Sequence, residues 1–128
     1  MRDEPHGRQL DAEALRRLAF YEGEWTVLLN HDARIVYELG TCDRVFGGPG
    51  GTSSTGRHIT SFVCPDEMGL AFDKMAESLA SLGSEVAFRI RAGRGDGQWQ
   101  EVDVLAINRF DDAHINGMVL RTNLARRE

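Results

Sequence analysis

Five short segments of the chain are rich in apolar residues, and three of them show a period of two along the chain, a pattern that predicts five β-strands. In the third segment, for example, Val86, Phe88 and Ile90 are separated by single small or charged residues. Short polar stretches separate the first two segments and each of the last three, so we expect antiparallel hairpins. The segments are, in chain order, WTVLLN, RIVYEL, EVAFRIRA, QWQEVDVLAINRF and MVLRTNL.

Two further segments carry apolar residues at the 3.6-residue period of a helix. The first, LDAEALRRLAFYEG, has Asp11 as its predicted N-cap and an apolar stripe formed by Leu15 and Leu18. The second runs from Pro65 to Leu82, and we expect its apolar face to lie across the sheet and shield the apolar side of the sheet from water. That face consists of Met68, Phe72, Met75, Leu79 and Leu82.

Between the two groups of strands, the segment CDRVFGGPGGTSSTGRH is rich in Gly, Ser and Thr. It predicts a loop with one or two helical turns near Cys42–Phe46. Gly51 and Gly56 have the separation of the glycines in a phosphate-binding P-loop, but Arg57 and His58 replace the lysine and the hydroxyl residue of that motif. We therefore interpret the part from Gly51 to His58 as a flexible loop near the mouth of a pocket.

The composition fits one globular domain that neither binds nucleic acid nor inserts into a membrane. The chain has 128 residues, of which 41% are hydrophobic, enough for a core without disulfides or metals. Its formal net charge is −5, whereas a duplex-binding protein needs a basic surface to neutralise phosphates. The N-terminus lacks the apolar run of a signal peptide, and no apolar stretch is long enough to cross a bilayer. We therefore expect a cytoplasmic protein.

The segment FVCPDEMG allows four interpretations: a metal ligand, a redox thiol, a catalytic site or the start of a helix. A metal site needs three or four converging ligands, and a thiol nucleophile needs a base. Cys42 is far along the chain from Cys64, and a loop separates Cys64 from His58. We favour a helix start in which Asp66 and Glu67 lie at the positive end of the helix dipole. We therefore predict no catalytic and no metal-binding residues.

Four patterns, taken in order, resemble those of a PAS domain. They are LLNHDARIVYELG, similar to the opening hairpin of that family; VCPDEMGLAFDKMAESL, similar to its His-Pro-Asp-Asp helix start; FRIRAGRGDGQWQEVDVLAI, with Trp99 and Glu101 as its Trp-x-Glu; and INGMVLRTNLARRE, similar to its closing strand. The resemblance covers residues 24–128 and leaves residues 1–23 as an N-terminal tail and flanking helix. It implies an α+β fold, with a five-stranded antiparallel sheet, helices on one face and the flanking helix in addition.

The chain departs from the family pattern in the opening turn and the closing strand, and its loop from Gly47 to Gly56 is richer in glycine than usual. Ala33 stands where the opening turn often has glycine. At the closing strand, Asn123, Leu124 and Ala125 replace the frequent Asp-Ile-Thr or Asp-Val-Thr. This second departure removes the aspartate and the threonine on which polar coupling to an effector depends in signalling members.

In the PAS family the cavity between the sheet and the helices often binds a small molecule, so the resemblance implies an apolar ligand pocket. A filled core is the alternative, because Met and Phe at helical spacing usually serve packing. Haem-binding members carry a histidine on the long helix, which Asp66–Gly83 lacks, and neither cysteine matches the Gly-x-Asn-Cys-Arg-Phe-Leu-Gln signature of flavin photoreceptors. We therefore expect neither haem nor flavin and leave the ligand unassigned. The predicted pocket residues are Phe46, Ile59, Phe62, Phe72, Met75, Leu79, Phe88, Ile90, Val104 and Met118.

The resemblance also implies a homodimer formed through the flanking helix and the outer face of the sheet. That helix has a second interpretation, in which it packs on its own sheet. The predicted interface residues are Leu15, Leu18, Trp99, Leu105 and Ile107, since an exposed apolar patch usually marks an interface.

Together these features predict a non-catalytic sensory or regulatory module of bacterial-type signal transduction. Its C-terminal effector would be a histidine kinase, a cyclic-dinucleotide enzyme or a transcription regulator. A ligand-free dimerisation or docking module is the first alternative. A small α+β enzyme with an acid–base pair such as Asp103 and His114 is the second, and for it the sequence shows no convergent set of catalytic residues.

Overall fold

The computed structural model describes residues 8–47, 53–94 and 97–125 of the chain. Its centre is a five-stranded antiparallel sheet in the order β2-β1-β5-β4-β3, so the five predicted strands and their pairing are confirmed. Residues 48–52 of the predicted glycine-rich loop and residues 95–96 at the centre of a predicted turn lie outside the described residues. The strands are β1 (Trp25–Leu29), β2 (Ile35–Leu39), β3 (Glu85–Ala92), β4 (Gln100–Arg109) and β5 (Gly117–Leu124).

The N-terminal helix α1 (Ala12–Ala19) packs on the outer face of its own sheet. The Asp11 side chain accepts a hydrogen bond from the N–H of Ala14 at 2.8 Å, which confirms the predicted N-cap. Farther along the helix, the Arg17 guanidinium donates to Asp112, which follows β4, at 2.9 Å. The buried apolar residues at this face form the outer cluster, which consists of Leu18, Leu28, Val36, Ile107, Ile115 and Val119.

The opposite, inner face of the sheet carries the main core and is covered by short helical elements and one longer helix. These are α2 (Asp43–Phe46), two 3₁₀ turns (Ile59–Phe62 and Pro65–Glu67) and α3 (Met68–Leu79). Helix α2 confirms the helical turn predicted in this region, whereas the turn at Ile59–Phe62 was not predicted. The arrangement confirms the expected α+β fold, with helices on one face and the flanking helix in addition.

Polar contacts hold both ends of α3 against the sheet. At its N-terminal end, the Glu67 carboxylate accepts a hydrogen bond from the backbone N–H of Arg91 in β3 and lies 3.4 Å from the Arg91 guanidinium. At its C-terminal end, the Asn108 amide in β4 donates to the backbone carbonyl of Ser78 at 3.1 Å, and the Ser84 hydroxyl donates to the same carbonyl at 3.0 Å. Glu67 therefore does more than interact with the helix dipole, because it joins the start of α3 to the sheet.

Helix α3 lies across the sheet as predicted, but it turns a different face toward the strands. Ala71 and Ser78 are its buried residues, whereas Phe72 and Leu79 of the predicted apolar face are 56% and 55% exposed. At about 100° per residue, the centre of the predicted face lies about 70° around the helix from the line through Ala71 and Ser78. The expectation of a fully shielding face is therefore corrected. Small residues face the strands, and the large side chains project sideways.

The turn between β1 and β2 contains a strained residue. Ala33 adopts a left-handed backbone conformation with φ of +60°, which costs about 1–2 kcal/mol for a residue with a Cβ atom. Hydrogen bonds hold it there, because its N–H donates to the Asn30 carbonyl at 3.0 Å and its carbonyl accepts from the Ile59 N–H at 2.9 Å. Ala33 thus replaces the family's frequent glycine at a position where the backbone needs a positive φ.

Candidate ligand-binding cavity

A cavity of about 500 Å³ lies between α3 and the inner face of the sheet. Its volume falls within the range of small-molecule sites, roughly 300–1,000 Å³. It exists because α3 is anchored at both ends and its two buried residues, Ala71 and Ser78, are small, so the large side chains of the helix become walls. The side chains of the core therefore leave an apolar space at the position where the sequence predicts a pocket.

Nine of the ten predicted pocket residues line this cavity, and one does not. Met118 is buried beneath α3, with its sulfur 3.4 Å from the Ser78 hydroxyl, and is a packing residue of the core. Its inclusion in the pocket is corrected, because the buried side of α3 covers it. The nine lining residues are Phe46, Ile59, Phe62, Phe72, Met75, Leu79, Phe88, Ile90 and Val104.

Sequence reasoning missed Trp25, which supplies an aromatic wall. The indole packs edge-on against Phe62 and Phe46, with ring centroids 5.0 and 5.8 Å apart. Its Nε1–H donates to Glu38 at 2.7 Å, and the other carboxylate oxygen of Glu38 accepts from the Ser54 N–H at 2.9 Å. The indole is thus fixed by a partner outside the cavity lining. Trp25 shares the period of two of Val27 and Leu29, which face the inner core, and this pattern was the signal that could have found it.

One end of the cavity is polar, at the turn after β1 and the start of the Ile59–Phe62 turn. His31, Asp32, His58 and Thr60 line it. The His58 Nδ1 lies 3.3 Å from the Thr60 N–H and 2.7 Å from the Thr60 hydroxyl. A backbone amide can only donate, so Nδ1 accepts and the neutral ring carries its proton on Nε2. Within the described part of the chain, that Nε2–H has no hydrogen-bond partner.

The remaining chemical candidates do not come together in the described residues. Cys42 and Cys64 are buried free thiols, and ranges 8–47, 53–94 and 97–125 contain no group of three or more side chains that could hold a metal ion. Asp103 pairs with Arg89 at 2.7 Å, whereas His114 lies 3.4 Å from Asp11. The acid–base pair suggested as an alternative is therefore not formed.

The predicted dimer residues have two kinds of environment. Leu18 and Ile107 are each 1% exposed and lie in the outer cluster within one chain, so their predicted exposure to a partner is corrected. Leu15, Trp99 and Leu105 are half-buried. The ion pair between Arg89 and Asp103 lies on the same outer face, which interrupts its apolar surface. Dimerisation itself stays a prediction.

The fold and the site together define the class of protein, which is a small α+β domain with one antiparallel sheet. One face of the sheet and helix α3 enclose an apolar cavity, and helix α1 packs on the other face. The structure is similar to the crystal structure of the PAS domain of a protein from Colwellia psychrerythraea, with a TM-score of 0.68, 13% sequence identity, and coverage of 90% of this chain and 98% of that chain. The chain therefore has the PAS fold, as predicted. No family model and no curated protein matches the sequence.

Across the described residues, none of the helices has the length and apolar character needed to span a membrane.

Proposed function

We propose that this chain is a sensory or regulatory PAS module that binds a small, mostly apolar ligand and passes a conformational change to an effector. The observation that carries the proposal is the cavity of about 500 Å³ beneath α3. Its walls include Phe72 and Leu79, which are half-exposed and would bury further apolar surface against a ligand. Each square ångström of apolar surface removed from water contributes roughly 25 cal/mol, so these side chains favour binding.

The route to an effector runs through strand β5, which contributes Leu120 and Thr122 to the cavity lining. The end of β5 is tied to the start of β1, because the Leu124 N–H donates to Glu24 at 2.6 Å and the Asn123 side chain accepts from the Glu24 N–H at 2.7 Å. A ligand changes this region only if it binds two conformations with different affinity. We propose a histidine kinase, a cyclic-dinucleotide enzyme or a transcription regulator as the effector class.

Homodimerisation is part of the proposal, with α1 and the half-buried Leu15, Trp99 and Leu105 at the interface. The exposed Phe20 at the end of α1 adds apolar surface to that region. The second candidate function is a ligand-free dimerisation or docking module. The exposure of Leu82, beyond the end of α3, favours it, because a large exposed apolar side chain gains from burial in a partner.

The test compares two alanines of the same helical segment. Both are exposed, but Ala76 lines the cavity, whereas Ala80 lies outside the lining. Native mass spectrometry of the purified protein would detect a retained molecule, and the fluorescence of added N-phenyl-1-naphthylamine would report binding to an emptied cavity. We expect Ala76→Trp to abolish dye binding and Ala80→Trp to leave it unchanged. Absence of both a retained molecule and dye binding in the folded wild type would contradict the ligand-binding function.

A further inference from the structure

We infer that the cavity selects an uncharged, elongated and mostly apolar molecule that accepts a hydrogen bond from the His58 ring. This inference rests on the proposed ligand-binding function. It concerns the chemistry of the ligand, which the fold alone leaves open.

The charge of the lining excludes an ionic ligand. The described lining residues include neither lysine nor arginine, and their one carboxylate is Asp32, exposed at the polar end. The nearby Arg57 guanidinium packs over the Phe62 ring, 4.2 Å from its centroid, and is not part of the lining. An anion would therefore enter an apolar space without a counter-charge, and burying an unpaired charge is far more costly than burying a hydrogen-bonded neutral group. A cation would meet only a solvated carboxylate.

The hydrogen bonds of His58 determine which polar group fits. Because Nδ1 accepts from Thr60, the unpartnered Nε2–H is a donor, and the ligand must supply an acceptor such as a ketone, ether or alcohol oxygen. A ligand that could only donate would leave this N–H without a partner.

A second polar group lies toward the other end of the cavity. Thr122 lines it and is 6% exposed, and its hydroxyl has no hydrogen-bond partner among the residues the structure describes. Thr122 pairs with Trp25 at the start of β1, whereas His31 follows the end of that strand. Since a strand rises about 3.3 Å per residue, the length of β1 separates the two ends by about 13 Å. The Thr122 hydroxyl therefore offers a ligand a second polar contact at this end of the cavity.

The volume limits the size of the molecule. A water-sized group occupies about 30 Å³ in a liquid, so a cavity of about 500 Å³ holds about 15 non-hydrogen atoms. A chain of ten carbons with one polar group fits this limit and the distance between the polar ends.

The test uses three probes with the same ten-carbon chain and different head groups: decan-2-one, decanoate and decylammonium. Each displaces N-phenyl-1-naphthylamine from the delipidated full chain at about pH 7.5. We expect decan-2-one to bind at least tenfold more tightly than either ion. The variant His58→Phe keeps a ring of similar size without the donor and should weaken decan-2-one about two- to twelvefold, because one hydrogen bond contributes about 0.5–1.5 kcal/mol. His58→Gln keeps an N–H donor and should recover most of that loss.

Each outcome bears on a different part of the inference. If decanoate or decylammonium binds as tightly as decan-2-one, the selection for a neutral ligand is wrong while the ligand-binding function stands. If His58→Phe binds the ketone like the wild type and melts at the same temperature, the assigned donor is wrong. If the folded wild type binds none of the probes and no dye, both the inference and the proposed function fail.

Discussion

The substitution Asn108→Ala should destabilise the fold by about 2–4 kcal/mol, although it removes no charge and little apolar surface. Asn108 is 1% exposed, its amide nitrogen donates to the Ser78 carbonyl at 3.1 Å, and its amide oxygen accepts from the Phe110 N–H at 3.1 Å. Each such bond contributes about 0.5–1.5 kcal/mol, and a buried donor left without a partner costs about 1–3 kcal/mol. The Ser78 carbonyl keeps the bond from Ser84, so the unsatisfied group is the Phe110 N–H.

Urea unfolding followed by circular dichroism measures this free energy by linear extrapolation. The matched control is Gln100→Ala, an exposed position in the same strand, which should stay within about 0.5 kcal/mol of the wild type. The C-terminal anchor of α3 would be refuted if Asn108→Ala also stayed within about 0.5 kcal/mol. If Asn108→Ala strongly lowers the free energy of unfolding but leaves dye binding unchanged, Asn108 stabilises the domain without determining the shape of its cavity.

Two further predictions use the same urea measurement. Burial alone would raise the pKa of Asp112, but hydrogen bonds from Arg17 and from the N–H groups of Ile115 and His114 outweigh it and lower that pKa. A lowered folded pKa gives stability above about pH 4 that is lost as the pH falls further, so Asp112→Asn should cost most near pH 7 and least near pH 3, and a pH-independent cost would contradict the linkage. Ala33→Gly relieves a positive φ and should raise the free energy of unfolding by about 0.5–1 kcal/mol after the added entropy of the unfolded chain, whereas a decrease would show that the turn is not strained.

The strands and the flanking helix could be predicted because their signals are local. One segment, for example, has apolar residues at every second position, at Val86, Phe88 and Ile90. The N-cap Asp11 accepts a hydrogen bond from the N–H of Ala14, only three residues away. Such patterns depend on neighbouring residues and need no knowledge of the rest of the fold. The PAS fold follows from the order of these elements, so it could be predicted from the sequence as well.

The rotation of α3 could not be predicted, because contacts between distant residues determine it. Glu67 binds the backbone of Arg91, 24 positions away, and Asn108 binds the carbonyl of Ser78, 30 positions away. The 3.6-residue period of the apolar positions identifies which residues share a helix face. It does not identify which face lies toward the sheet, because the contacts of Glu67 and Asn108 determine that. Most pocket residues were still predicted correctly, because the apolar face of α3 forms one wall of the cavity. Met118 was not, because it lies beneath the buried side of α3.

The polar ends of the cavity were missed for a related reason. Thr122 lies in a strand in which a threonine is unremarkable, and it becomes a cavity residue only once its pairing with Trp25 and Val104 is known. His58 was considered as a base for the Cys64 thiol, which treated it as a single reactive group. Its contact with Thr60, two residues away, gives it the role of a fixed donor.

Strand β5 links the two faces of the domain through neighbouring residues. Leu120 lines the cavity, whereas Val119, the residue before it, lies in the outer cluster with Leu18 of α1. Successive side chains of a strand point to opposite faces, so any shift of the backbone at Leu120 also moves Val119. Packed interiors transmit such shifts because they contain few voids that could absorb them. A ligand that displaces the inner face of β5 must therefore also change the contact between the sheet and α1.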